Sequence, residues 1–136
     1  MDLTRRFEVR RSRDEVVERL FRDETLLGLL ARGDAEIVER TGDRRTLRTS
    51  YLGRELTFHF TFLMDGNVRF EKVCDGNVWR ELTGYVGVEE LPDDRCEVSI
   101  DLSGRTRSLV PEFTIRAPME QQMRDMSEAL EVALTG

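Results

Sequence analysis

The sequence predicts an α+β fold in which an antiparallel sheet of six or seven strands curves around a long C-terminal helix. Two short helices are expected after the first strand. Two observations predict this class: side chains alternate between apolar and polar over most of residues 34–103, and apolar residues return to helical spacing near the C-terminus. The 136 residues are enough for one domain, so we expect residues 1–136 to form a single unit.

The N-terminal segment predicts one strand followed by two helices. Residues alternate from Leu3 to Arg10, with Phe7 and Val9 on the same side, which is typical of a half-buried strand. Residues 12–15 read Ser-Arg-Asp-Glu, a capping box that predicts the start of a helix. A second short helix is expected to hold the leucines of residues 26–30 and to end before Gly33.

Turn residues divide the middle of the chain into six predicted strands. Glycine, asparagine, aspartate and proline clusters leave strands near 34–41, 44–52, 54–64, 68–74, 78–91 and 95–103. The connections are short, which favours an antiparallel meander of hairpins. The strand at 54–64 has the clearest alternation, and it places Phe58, Phe60 and Phe62 on one face.

The C-terminal segment predicts an amphipathic helix with one buried face. Its apolar stripe advances in steps of four and three residues: Met119, Met123, Met126, Leu130 and Ala133. We expect the firm helix to run from about Pro118 to Leu134. Residues 109–117 form either a separate turn or a bent first section, because prolines at 111 and 118 are tolerated only near a helix start.

This order of elements resembles the helix-grip fold of the START-like, or SRPBCC, superfamily. The resemblance is carried by the opening strand Phe7–Val9, the helix capped at Ser12, the run of hairpins, and residues 109–113 ahead of the methionine stripe. The chain is most similar to small single-domain bacterial members, grouped with polyketide cyclases/dehydrases and the G-subunit family of carbon monoxide dehydrogenase. The resemblance implies a cavity between the sheet and the long helix that holds a lipid, a polyketide or another apolar molecule.

Ten residues are candidates for the wall of such a cavity. They are Phe58, Phe60, Phe62, Phe70, Trp79, Arg80, Leu82, Met119, Met123 and Met126. The three phenylalanines of strand 54–64 are expected to face the long helix, and ligand pockets are mostly apolar and aromatic. The methionines would add a soft, adaptable surface. For the phenylalanines and the methionines, ordinary core packing is the alternative.

The inward face of strand 78–91 depends on the turn before it. A three-residue turn would place Leu82 opposite Phe70 and bring Arg80 inside, where it would anchor an acidic or carbonyl head group. A two-residue turn would pair Trp79 with Cys74 and turn the other face inward. The valines of this strand favour the first register slightly, and the glycines at 84 and 87 would permit a bulge that switches faces.

Composition excludes several function classes. The formal net charge of −6 argues against nucleic-acid binding, and no apolar run is long enough to cross a membrane. The first ten residues lack the apolar core of a signal peptide, so we expect a cytoplasmic protein. Cys74 and Cys96 are expected to be reduced and buried, and His59 to lie on the outer face. No metal or cofactor is expected.

Three functions remain open from the sequence. The first is binding or transport of a small hydrophobic molecule, which the lack of a recognised catalytic motif favours over catalysis. The second is an enzyme of the cyclase or aromatase kind that uses the same cavity, without an assignable catalytic residue. The third is an assembly or regulatory protein that acts through a protein partner or as a homodimer.

Overall fold

The computed structural model describes residues 1–30 and 34–136 and contains one seven-stranded antiparallel sheet. The strands lie in the order β1-β7-β6-β5-β4-β3-β2. A long C-terminal helix, α3, packs against β1 and α2. The bounds are β1 Asp2–Val9, α1 Arg13–Leu20, α2 Asp23–Leu29, β2 Glu36–Thr41, β3 Arg44–Tyr51, β4 Arg54–Phe62, β5 Val68–Lys72, β6 Trp79–Leu91, β7 Arg95–Thr106 and α3 Arg116–Thr135. The predicted fold class is confirmed.

The first helix begins where the capping box predicts. The Ser12 hydroxyl accepts a hydrogen bond from the backbone N–H of Glu15 at 3.3 Å, and α1 then buries Val16 and Leu20 against the sheet. The second helix, α2, buries Leu26 and Leu29. It ends at Leu29, which agrees with the predicted end before Gly33.

The six later strands and their hairpin order are confirmed, with shifts of one to three residues at several strand ends. β4 ends at Phe62 rather than at residue 64, because the backbone turns over residues 63–67 through a hydrogen bond from Leu63 N–H to the Asn67 carbonyl. β7 continues to Thr106 rather than 103. Its last residues pair with the start of β6, and Met1 N–H bonds to the Gly104 carbonyl.

The pairing of β5 with β6 differs from both predicted registers. Phe70 lies opposite Gly84 rather than Leu82, and residues 73–78 form a longer connection than either predicted turn. The physical reason is the Phe70 ring, which occupies the space that a side chain at residue 84 would fill. A Cβ atom added to Gly84 would lie 2.0 Å from Phe70 Cζ.

A bulge near the start of β6 decides which of its side chains face inward. The register with β7 shifts between Trp79 and Glu81, so Arg80 is the additional residue. As a result Trp79 and Leu82 are both buried, whereas Arg80 is exposed. The predicted change of face is therefore present, but it occurs at Arg80 and not at the glycines 84 and 87.

Helix α3 is longer at its start than the sequence predicts. A separate 3₁₀ turn at Glu112–Thr114 precedes it, so the first of the two predicted alternatives for this segment holds. Pro118 lies in the first turn of α3, where its missing N–H has no helical partner in any case. The buried stripe of α3 contains Met119, Met123, Ser127, Leu130 and Leu134.

Candidate ligand-binding cavity

The space between the sheet and α3 has one closed end. The short helices cover it there, with Val16, Leu20 and Leu26 fully buried. The Phe21 ring, which follows α1, stacks on the ring of Phe62 with centroids 4.5 Å apart. This half of the interior is therefore filled with side chains.

The other half contains a partly open cavity of about 360 Å³. It lies beneath the N-terminal half of α3 and against the ends of β3 and β4 that lead to their shared turn. Its walls are mainly apolar and come from α2, from five strands of the sheet and from α3. The lining residues are Leu29, Leu30, Thr49, Tyr51, Leu56, Phe58, Phe70, Leu82, Leu102, Pro118, Met119, Gln121, Gln122, Met123, Asp125 and Met126.

The structure brings six of the ten candidate residues together around this cavity. Phe58 and Phe70 contribute from neighbouring strands, and Leu82 contributes from β6. The three methionines of the α3 stripe line the opposite wall: Met119, Met123 and Met126. Met119 and Met123 are buried, while Met126 is half-buried and therefore reaches the open side.

The other four candidates lie away from the cavity. Phe60 is 1% exposed and stacks on Phe70 with ring centroids 5.1 Å apart, as part of the packed core. Phe62 faces the short helices rather than α3, because the Phe21 ring covers it. Trp79 is buried against Gly104, where an added Cβ would lie 2.5 Å from the indole. Arg80 is exposed because the β6 bulge turns it outward, so it cannot anchor a head group inside.

Sequence reasoning missed several lining residues, both apolar and polar. Leu56 could have been found, since it shares the face of Phe58 in the alternating strand. Gln122 could also have been found, because it lies four residues before Met126 on the same side of the helix. Thr49 and Tyr51 carry no such signal, since their position depends on how far β3 extends beside β4.

Several polar groups at the cavity already have partners within the protein. Thr49 Oγ1 donates a hydrogen bond to Asp34 Oδ1 at 2.6 Å, and Ser50 donates to the other carboxylate oxygen. Hydrogen bonds from Ser50 and Thr49 hold the pKa of Asp34 below its usual value. On α3, Gln121 Nε2 donates to Asp125 Oδ1 at 2.9 Å. These bonds fix the polar side chains at the edge of an otherwise apolar space.

The histidine and the two cysteines lie away from the cavity. His59 is on the outer face, with Nδ1 3.0 Å from Thr46 Oγ1. Cys96 is buried at the closed end and Cys74 is half-buried at the other end, and burial raises the pKa of both thiols. Within residues 1–30 and 34–136, no group of three His, Cys, Asp or Glu side chains is arranged to hold a metal ion.

No family model matches the chain, and no curated protein matches it in sequence. Solved structures do match. A START superfamily protein from Mycobacterium smegmatis is 14% identical with a TM-score of 0.72, and the match covers 98% of this chain and 96% of that one. The chain has the START-like helix-grip fold. The resemblance stated from the sequence is thus confirmed for the fold.

Two enzymes are among the proteins that share this helix-grip fold. An aromatase/cyclase from a Streptomyces species is 15% identical, with a TM-score of 0.74 and coverage of 98% of this chain and 90% of that one. Norcoclaurine synthase from Thalictrum flavum, in complex with dopamine and hydroxybenzaldehyde, is 18% identical. Its TM-score is 0.72, and the match covers 96% of this chain and 84% of that one.

The open end of the helix-grip cavity carries exposed apolar side chains. The strand directions place the β3–β4 turn and the segment before α3 at this end. Leu52 in the turn is 85% exposed, and Leu109 and Phe113 before α3 are 94% and 81% exposed. Tyr51 is also exposed and lines the cavity itself. Among the described helices, none combines the length and the apolar character that a membrane crossing requires.

Proposed function

We propose that this protein binds a small hydrophobic molecule in the cavity between the sheet and α3. The observation that carries the proposal is the cavity itself. Protein interiors are close-packed and contain few voids larger than a water molecule, whereas this space measures about 360 Å³. That volume lies at the lower end of the range of about 300–1,000 Å³ that is usual for ligand pockets. A small aromatic or short-chain molecule is therefore the best match in size.

The composition of the wall supports an apolar ligand. Phe58, Phe70 and Leu82 on the sheet face Met119 and Met123 on the helix across the cavity. Methionine side chains are flexible and polarisable, so this wall can adapt to ligands of different shape. Norcoclaurine synthase, which has the same fold, holds two small aromatic molecules in its solved structure.

The exposed apolar residues at the open end support entry of such a ligand from that side. Leu52, Leu109 and Phe113 would give an apolar molecule favourable contacts before it reaches the interior. We further propose that binding takes place in the cytoplasm, as the sequence predicts. Two unpaired thiols, one of them only half-buried, suit a reducing compartment.

Titration with phenylnaphthylamine, an uncharged fluorescent probe, tests the proposal. We expect saturable binding of one probe per folded protein, with a dissociation constant of about 1 μM, corresponding to about 8 kcal/mol. The signal should disappear when the protein is unfolded cooperatively in denaturant. A probe that binds only partly unfolded protein would instead show a maximum within the unfolding transition.

Two tryptophan variants on α3 distinguish the cavity from the surface. Met126→Trp should fill the open side of the cavity and raise the dissociation constant by at least about tenfold, or ~1.4 kcal/mol. Val132→Trp adds the same side chain at a position that is 71% exposed, and it should leave binding unchanged. Equal effects of the two variants, or no saturable binding by the folded wild type, would contradict the proposed function.

A further inference from the structure

The cavity contains one amide that the protein itself leaves unused. Gln122 lines the wall and is half-buried, and within the described part of the chain no hydrogen bond engages its side chain. Its neighbour Gln121 differs, because its amide donates to Asp125 and accepts from Arg124 at 2.7 Å. A glutamine amide can donate to a carbonyl oxygen and accept from a hydroxyl group. Gln122 can therefore hydrogen-bond either kind of group on a bound molecule.

A carboxylate stands at the same wall. Asp125 lies three residues after Gln122 on α3 and lines the cavity. Arginine, lysine and histidine are absent from the lining as far as the structure describes the chain. Arg124, which bonds to Gln121, is exposed and lies outside the lining. Asp125 is itself exposed, so its carboxylate lies at the open side of the cavity. A negatively charged ligand group would thus meet a like charge at the edge of apolar walls, where water screens the repulsion less than in bulk solvent.

We propose that the cavity selects an uncharged ligand with an apolar body and one hydroxyl or carbonyl group. The Gln122 amide binds that group, and Asp125 disfavours the corresponding carboxylate. This inference rests on the proposed function, since it assigns a class of ligand to the same cavity. It also differs from the sequence expectation of an acidic head group held by Arg80, which lies outside.

Three compounds of similar size test this selectivity: naphthalene, naphthol and naphthoate. Each competes with phenylnaphthylamine for the wild-type protein at neutral pH, where only naphthoate is charged. We expect naphthol to bind at least about tenfold more tightly than naphthoate, and several-fold more tightly than naphthalene. Naphthoate binding as tightly as naphthol would overturn the inference, although the proposed function would stand. Failure of the probe itself to bind would overturn the proposed function.

Two variants test separately the hydrogen bond from Gln122 and the charge repulsion by Asp125. Gln122→Leu should abolish the advantage of naphthol over naphthalene while leaving naphthalene binding intact. Asp125→Asn should improve naphthoate binding several-fold with little change for naphthol. Glu128→Gln changes the net charge equally on the same helix but outside the lining, and it should leave naphthoate binding unchanged.

Two results would remove these assignments. Equal improvement of naphthoate binding in Asp125→Asn and Glu128→Gln would show that overall charge, and not the carboxylate in the cavity, sets the discrimination. An unchanged naphthol advantage in Gln122→Leu would show that another group binds the hydroxyl. In that case the assignment of Gln122 fails even if the preference for uncharged ligands remains.

Discussion

Replacing Gly84 by alanine should destabilise the fold, because the Phe70 ring occupies the space of the new side chain. The added Cβ would lie 2.0, 2.3 and 2.4 Å from three carbon atoms of that ring. Carbon atoms in ordinary contact are about 3.5–4.0 Å apart, so the ring would have to move by about 1.5–2 Å. Such a shift would also disturb the stack of Phe70 on Phe60, whose centroids are 5.1 Å apart.

The cost of Gly84→Ala can be estimated from these contacts. Overpacking a core position costs about 1–3 kcal/mol, and loss of an aromatic pair costs about 0.5–1.5 kcal/mol. Alanine also reduces the entropy of the unfolded chain, which returns about 0.4–1 kcal/mol. We therefore expect the free energy of unfolding to fall by about 0.5–4 kcal/mol, measured by denaturant titration with circular dichroism.

Two controls separate the ring contact from other effects of the substitution. Gly28→Ala, in α2, introduces a Cβ with nothing within 4 Å and should stabilise the protein by up to about 1 kcal/mol. In a Phe70→Leu background, Gly84→Ala should cost much less, because the ring is gone. An equal cost in both backgrounds, or no cost in the wild type, would refute the pairing of Phe70 with Gly84.

Three further predictions concern single sites. Met123→Asp should unfold the protein or leave it molten, since residue 123 is only 2% exposed, whereas Val132→Asp on the exposed side of α3 should keep the melting temperature. Cys74 and Cys96 should both react with a thiol reagent after denaturation without reductant. In the native state they should react more slowly, because burial raises the pKa of each thiol. A denatured protein in which neither cysteine reacts would indicate a disulfide. Asp34→Ala should lower the free energy of unfolding at neutral pH. The difference from the wild type should shrink as the pH falls below the ordinary aspartate pKa of 3.8, because the native state holds the Asp34 pKa lower than this value. A difference that persists in acid would contradict the hydrogen bonds to the carboxylate.

Local patterns predict most of the fold because they depend on neighbouring residues. The capping box at Ser12 requires only residues 12–15, and the alternation around Phe58 shows directly which side chains share a face. The register of β5 with β6 could not be predicted in the same way. It depends on the Phe70 ring filling the space above Gly84. The inward face at the start of β6 likewise depends on the additional residue at Arg80, which arises in the pairing with β7. Both features involve contacts between strands.

The sequence predicts a cavity between the sheet and the long helix, but it does not predict which part of that space stays open. Phe58, Phe60 and Phe62 have the same alternation, yet only Phe58 lines the space. Phe62 differs because the Phe21 ring, which follows α1, covers it. The sequence of the strand does not show how far the short helices extend over the sheet. The polar residue Gln122 is predictable only as a neighbour of Met126 on the same side of the helix, because the apolar stripe alone does not indicate which polar residues border the cavity.

The methionine methyl groups give the most direct test of the cavity as a binding site. In a protein with isotope-labelled methionine methyls, titration with naphthol followed by nuclear magnetic resonance reports on each of the five methionines. We expect saturable shifts of the lining residues Met119, Met123 and Met126, while Met64, which is fully exposed in the β4–β5 turn, keeps its position. Shifts that do not saturate, or shifts at Met64 without shifts on α3, would contradict binding between the sheet and the helix.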